Sequence, residues 1–354
     1  MAKSKSKAKR SPFTIKGVDI VPGTTATIDL PIADLYTHTT LTMPMRIIHG
    51  KRDGPVMFVN AALHGDEING VEIIRRLCQA PALKNLRGTL LIIPVVNVFG
   101  FTDHDRYLPD RRDLNRSFPG SEKGSLASRL AYIFMEEVVK RSDVGIDLHT
   151  GSNYRANLPQ IRACLDDAEV ARLSDIFGAP VILDAPLREG SLREAAGNCQ
   201  TRVLVYETGE PLSFNELGIR MGVKGIQSVM RAIGMLPARR PGKRKVTRHI
   251  AGSSVWVRAP QSGILNARAG LGDQVQAGDK LGDVSDTFGD HGIDVVSTVS
   301  GIVIGCVTMP LVNEGAALFH IARFENPDDV SASVDAFREE MLDPNEIEEA
   351  QISM

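Results

Sequence analysis

Residues 56–70 read Val56-Met57-Phe58-Val59-Asn60-Ala61-Ala62-Leu63-His64-Gly65-Asp66-Glu67-Ile68-Asn69-Gly70. The run Val56 to Leu63 reads as a buried strand. The pattern Val71-Glu72-Ile73-Ile74-Arg75-Arg76-Leu77, which follows directly, is helical. A histidine and a glutamate three residues apart therefore sit in the turn leaving a strand. In an open α/β sheet, ligands and catalytic groups collect at that place. The first expectation is that His64 and Glu67 are two ligands of a zinc ion.

The surrounding chain supports a sheet. Strand candidates (Val56 to Leu63, Thr89 to Val95, Val144 to Leu148, Gln160 to Leu165, Val203 to Tyr206) alternate with helix candidates. The helices are Val71 to Cys78, Leu126 to Lys140, Asp167 to Phe177, Ser191 to Ala196 and Phe214 to Ile233. Alternation predicts an α/β fold with a mixed, mostly parallel sheet and flanking helices. Thr24 to Leu30 and Leu41 to Ile48 read as antiparallel edge strands feeding that sheet. After residue 249 the texture changes to short strands and glycine turns, with a faint repeat: Ser262-Gly263-Ile264-Leu265 against Ser300-Gly301-Ile302-Val303. This predicts a small C-terminal all-β, barrel-like domain or flattened sandwich. It resembles the barrel of biotinyl and lipoyl carrier domains, yet the turn Gly282 to Asp290 holds no lysine to modify. The expected division is a disordered basic tail (1–12), a catalytic domain (13–236), a basic linker (237–249), the β domain (250–324) and an acidic tail (325–354).

Composition restricts the class. The chain has 354 residues, 43% hydrophobic and 24% charged, and a net charge of -2, which fits a globular protein. No apolar run approaches the length of a membrane span. The basic start has no apolar core, so it does not read as a secretory signal. Weak contact with nucleic acid or an acidic surface is the other reading of that start. Four scattered cysteines, Cys78, Cys164, Cys199 and Cys306, form no knuckle or redox motif and fit free thiols in a reducing cytoplasm. The expected partners are a small-molecule substrate, with no nucleic acid and no membrane; a homo-oligomer is left open.

One His-x-x-Glu pair alone reads more readily as a structural histidine than as a metal site. A catalytic zinc needs a third protein ligand and one open position. Asp147-Leu148-His149-Thr150-Gly151 offers His149 at the end of another short strand. Asp147 and Asp66 are candidates to orient an imidazole, or to cap a turn. Zinc hydrolysis also needs a base. In Val203-Leu204-Val205-Tyr206-Glu207-Thr208-Gly209, Glu207 ends a third apolar strand, where a carboxylate has no packing role. The segment Arg106 to Gly120 is polar and rich in arginine. Such side chains stabilise an oxyanion or clamp a carboxylate.

In order and approximate spacing, four motifs resemble the succinylglutamate desuccinylase/aspartoacylase family, which has the zinc carboxypeptidase (M14-like) fold. They are His64-Gly65-Asp66-Glu67, Asp113-Leu114-Asn115-Arg116-Ser117-Phe118-Pro119-Gly120, Asp147-Leu148-His149-Thr150 and Tyr206-Glu207-Thr208-Gly209. The resemblance implies one zinc ion bound by His64, Glu67 and His149, with Glu207 as general base and acid. It implies that Arg106 polarises the scissile carbonyl and that Asn115 and Arg116 hold the substrate carboxylate. The implied function is a zinc-dependent amidohydrolase that deacylates an N-acylated amino acid or similar small amide. The alternatives are a metallocarboxypeptidase for short peptides, an N-acetyl-diaminobutyrate deacetylase of ectoine breakdown as in some relatives with this layout, and a catalytically dead scaffold. Tyr154 and Arg155 are further candidates to line the pocket.

Overall fold

The computed structural model describes residues 10–238, 249–325 and 327–342. The apolar run of the opening stretch forms the strand Arg52–Asn60, whose last four residues are buried. Parallel partners flank it on both sides: Arg87–Ile93 on one and Val144–His149 on the other. Arg202–Gly209 extends the parallel set beyond Val144–His149. Antiparallel strands Thr40–His49 and Thr24–Asp34 close one edge, as the sequence pattern predicts. Near-continuous Val, Ile and Leu runs suit these central strands because helices cover both faces.

One face packs against the helices Asn69–Gln79, Ala168–Phe177 and Glu216–Ala232 through Ile73, Leu77, Leu173, Phe177 and Ile226. The other packs against Leu126–Glu137 and Leu192–Gly197 through Leu130, Phe134 and Ala196. Gly145 lets the Phe58 ring lie against the neighbouring strand; a Cβ there would stand 2.0 Å from a ring carbon.

Two boundaries differ from expectation and shape the site. The first strand ends at Asn60 rather than Leu63, because Ala62 adopts a left-handed φ of 46° that breaks the extended run. His64 thus leaves the sheet on a turn. Gly65 in that turn lies against the short helix Val98–Asp103, where a Cβ would come within 1.9 Å of the Gly100 carbonyl carbon. Gly65→Ala is therefore expected to destabilise the protein by about 3 kcal/mol. Urea unfolding checks this; a midpoint matching the wild type would contradict it.

The C-terminal region is all-β but for its last helix, as expected, and is joined to the main sheet. Gly301–Val307 pairs antiparallel with Arg155–Ala163, and Ala317–Arg323 and Ser253–Arg258 follow. These strands belong to one sheet of thirteen among the described residues. A separate four-stranded sheet of Ile293–Val296, Lys280–Ser285, Gly263–Ala267 and Leu311–Val312 completes the region, with Leu281, Val284, Val303 and Phe319 in its core. The two copies of the faint repeat, Gly263–Ala267 and Gly301–Val307, thus fall in different sheets.

The described end of the basic tail differs from expectation, and the acidic end takes the helical one of its two expected forms, solvated helix or frayed tail. Arg10 is anchored: its guanidinium donates to the carbonyls of Gly50 and Gly88, each at 2.8 Å. In the acidic end, Pro327–Leu342 forms a helix, because Val330 and Val334 give it an apolar side that packs with Ile302 and Ile304. Most of the basic linker, 239–248, lies outside the described residues.

Candidate active site

Three strand ends and one loop converge on a cavity of about 710 Å³. Glu67 is buried at its base. Its Oε1 lies 2.8 Å from His64 Nδ1, and its Oε2 lies 2.7 Å from His149 Nδ1. The ligand-capable atoms of these three residues all fall within 4.8 Å of one another. Behind each ring stands a second carboxylate. Asp147 Oδ2 is 2.8 Å from His149 Nε2, and Asp113 Oδ1 is 3.0 Å from His64 Nε2. A carboxylate on Nε2 holds the proton there and turns the Nδ1 lone pair toward the shared centre.

The electrostatics point the same way. Burial alone would raise the Glu67 pKa, but His64 and His149 hold it well below the usual carboxylate range. Burial opposes protonation of His149, yet Asp147 and Glu67 together push its pKa well up. A centre that draws a proton this strongly between carboxylate and imidazole also draws a divalent cation. The donor set of two imidazoles and a carboxylate, each ring backed by a carboxylate, fits a zinc ion with an open fourth position.

Secondary structure fixes these positions. Asn60, at the end of its strand, donates to Asp147 Oδ1 at 2.7 Å from the neighbouring strand. Asn69 opens the helix after Glu67, accepts from Asn215 N at 2.8 Å and donates to Thr208 O at 3.1 Å. The backbone of Asp66 accepts from Leu212 N at 2.8 Å. The turn carrying two ligand candidates is thereby clasped to the turn after Glu207. Glu207 itself stands in register with His149 on the adjacent strand. Its carboxylate accepts from Asn157 Nδ2 and lies 3.1 Å from Arg162 Nε.

The loop side chains also reach the cavity. Arg106 spans Glu67 and Asp113 with two contacts of 3.0 Å. Asn97 caps the helix Val98–Asp103 and holds the Arg106 carbonyl at 3.3 Å, which sets the start of the loop. Asn115 Oδ1 accepts from Leu192 N at 2.9 Å, so its Nδ2 protons are the ones turned to other partners. Arg116 lines the same cavity.

A family model, the succinylglutamate desuccinylase/aspartoacylase catalytic domain, matches residues 53–233. The chain belongs to this family of amidohydrolases. The N-alpha-acetyl-L-2,4-diaminobutyric acid deacetylase of Halomonas elongata is 27% identical over 270 residues, covering 73% of this chain and 79% of the relative. A succinylglutamate desuccinylase/aspartoacylase from Rhodobacter sphaeroides superposes with a TM-score of 0.75 at 22% identity, covering 85% of this chain and 95% of that one. The product-bound ectoine utilization protein EutE (DoeB) from Ruegeria pomeroyi gives 0.77 at 22% identity, covering 89% and 99%. These likenesses confirm the mixed α/β fold with its β-rich C-terminal region.

The residues given metal, base or substrate roles from sequence all line this cavity: His64, Glu67, Arg106, Asn115, Arg116, His149 and Glu207. Arg155 lines it too, whereas Tyr154 is exposed on a left-handed backbone and offers its carbonyl to Thr308. Asp66 makes no hydrogen bond to an imidazole among the described residues; the charge of His64 reaches it only through space. Its carboxyl is pushed up to about 6 by burial and by the charge of Glu67, and one oxygen is buried without a hydrogen-bond partner. Asp113 takes the orienting place expected of Asp66. Asp113 begins the Asp113-Leu114-Asn115-Arg116 motif, and that position was its only signal in the sequence. Arg162, Arg188, Arg193, Trp256 and Arg258 also line the cavity and were not singled out from sequence.

Proposed function

We propose that the protein is a zinc-dependent deacylase that hydrolyses the amide bond of an N-acylated amino acid or similar small amide. The observation that carries this reading is the buried His64–Glu67–His149 cluster, with its three donor atoms facing one centre and a carboxylate behind each ring. Zinc held there would lower the pKa of a water toward neutrality and polarise the carbonyl of the amide.

The chain's own residues supply the other steps. Glu207 takes a proton from the attacking water and returns it to the departing amine, as one residue serves in both directions. Asn157 and Arg162 fix its carboxylate from either side. Arg106 presents a guanidinium beside the metal ligands, positioned to stabilise negative charge on the carbonyl oxygen. Asn115 Nδ2 and Arg116 hold the free carboxylate of the substrate. The products are a carboxylic acid and an amino compound.

Metal analysis together with a panel of N-acyl amino acids and short peptides tests the reading. Stoichiometric zinc and faster turnover of N-acyl amino acids are expected; preference for peptides would replace the deacylase by a carboxypeptidase. The Halomonas relative favours one narrower reading, deacetylation of N-acetyl-diaminobutyrate, and that compound belongs in the panel. Asp113→Asn and Asp147→Asn are each expected to weaken zinc affinity by about 10–100-fold, read by competition with a chelating dye. Unchanged affinity in both would separate these carboxylates from metal binding. The four cysteines are all free, which supports a cytoplasmic location.

A further inference from the structure

Glu207 stands at the end of a row of residues that runs across the sheet from the C-terminal region. Trp256 lies opposite His320, His320 opposite Gly305, and Gly305 opposite Asn157. The four belong to the strands Ser253–Arg258, Ala317–Arg323, Gly301–Val307 and Arg155–Ala163. Residues directly opposite one another share a face of the sheet. The row reaches Glu207 through Asn157, whose Nδ2 donates to Oε2 of the carboxylate.

Gly305 contributes no side chain to the row. A Cβ there would stand 2.9 Å from Asn157 Oδ1 and 3.2 Å from His320 Cβ. Asn157 and His320 therefore meet above the glycine, although they lie two strands apart. Both are buried. His320 Nε2 lies 2.8 Å from Ser254 Oγ, whereas its Nδ1 has no hydrogen-bond partner among the described residues. A buried polar atom is normally paired, with protein or with an ordered water.

Donors and acceptors along the row fit together in one direction. A carboxylate only accepts, so Asn157 gives Glu207 its Nδ2 and turns its Oδ1 toward Gly305. That oxygen calls for a donor. Burial and the charge of Arg162 push His320 down to about 3, so near pH 7 its ring is neutral and carries one proton. With Nε2 accepting from the Ser254 hydroxyl, that proton sits on Nδ1. Trp256 stacks on the ring at 4.4 Å with planes 8° apart, which fixes the plane in which Nδ1 points.

We propose that His320 is a positioning residue for Glu207, acting through one buried water above Gly305 that accepts from His320 Nδ1 and donates to Asn157 Oδ1. Ser254, His320, the water and Asn157 then each donate toward the carboxylate. The chain holds the Asn157 amide against flipping, since its Oδ1 turned to Glu207 would set two acceptors face to face. This rests on the deacylase reading above, in which Glu207 moves the proton. It gives the C-terminal region a part in holding the base.

The test uses the zinc-loaded, full-length protein. His320→Phe keeps a ring against Trp256 and removes both nitrogens. It is expected to lower kcat about tenfold, the scale of one lost hydrogen bond. KM and zinc content are expected to stay at wild-type values, because only the proton-transfer step is touched. His320→Asn places an amide N–H where Nδ1 was, and is expected to recover most of the loss. Wild-type kcat in His320→Phe, or an asparagine variant no better than the phenylalanine one, would overturn the proposal.

Nitrogen-15 NMR of histidine-labelled protein gives a readout independent of turnover. His320 is expected as the Nδ1–H tautomer, with a resonance that shifts in Glu207→Gln. That result supports the relay even if no amide is hydrolysed, in which case the deacylase reading fails instead. An Nε2–H tautomer, or a resonance indifferent to Glu207→Gln, overturns the relay even if hydrolysis is rapid.

Discussion

Glu67→Ala is expected to leave the purified protein without bound zinc and to bring amide hydrolysis to the limit of detection. Glu67 is the centre of the cluster: both imidazoles, Arg106 and the Thr150 amide converge on its two oxygens. Without the carboxylate, two imidazoles remain, one ligand short of a catalytic zinc site. Arg106 keeps Asp113, but the buried Thr150 N–H loses its acceptor, at about 1–3 kcal/mol. Glu67→Gln keeps the volume and separates lost ligation from lost packing. Metal content by mass spectrometry, with circular dichroism as a check on folding, decides the matter. Zinc retained one-to-one, with full activity in the alanine variant, would remove Glu67 from the mechanism.

The second large effect is expected at Glu207. Glu207→Ala should keep its zinc and lose about two to four orders of magnitude in kcat, the usual scale for general acid–base catalysis. Glu207 stands on the strand beside His149, but its carboxylate is held by Asn157 and Arg162 rather than by the ligand side chains. Metal binding and proton transfer are therefore separable by mutation. Glu207→Gln, which keeps the Asn157 side of the cradle, should lose as much activity as the alanine variant. A kcat within tenfold of wild type in either variant would require another base.

The apolar runs and their periods disclosed the central strands and the five helices that flank them, because burial on both faces of a sheet leaves few alternatives. His64, His149 and Glu207 were legible for a related reason. A polar residue at the end of an apolar strand has no packing role, and parallel strands bring their ends to one edge. The Ala62 kink was not legible, since alanine carries no turn signal. The join between Gly301–Val307 and Arg155–Ala163 was also hidden. Strand pairing at such separation leaves no local trace, so the C-terminal strands read as a separate barrel-like domain or flattened sandwich.

By itself, the sequence determined the class of chemistry: two imidazoles and a carboxylate on strand ends, a further glutamate and an arginine loop, in the order of one family. Those residue types carry their chemistry wherever they are placed. Only the tertiary structure decided which carboxylate stands behind His64, because the chain brings Asp113, 49 residues away in sequence, to the ring rather than the nearby Asp66. It likewise decided that Arg258 and Trp256, about a hundred residues beyond Arg155, share a cavity wall with it. Their proximity is something that only folding creates.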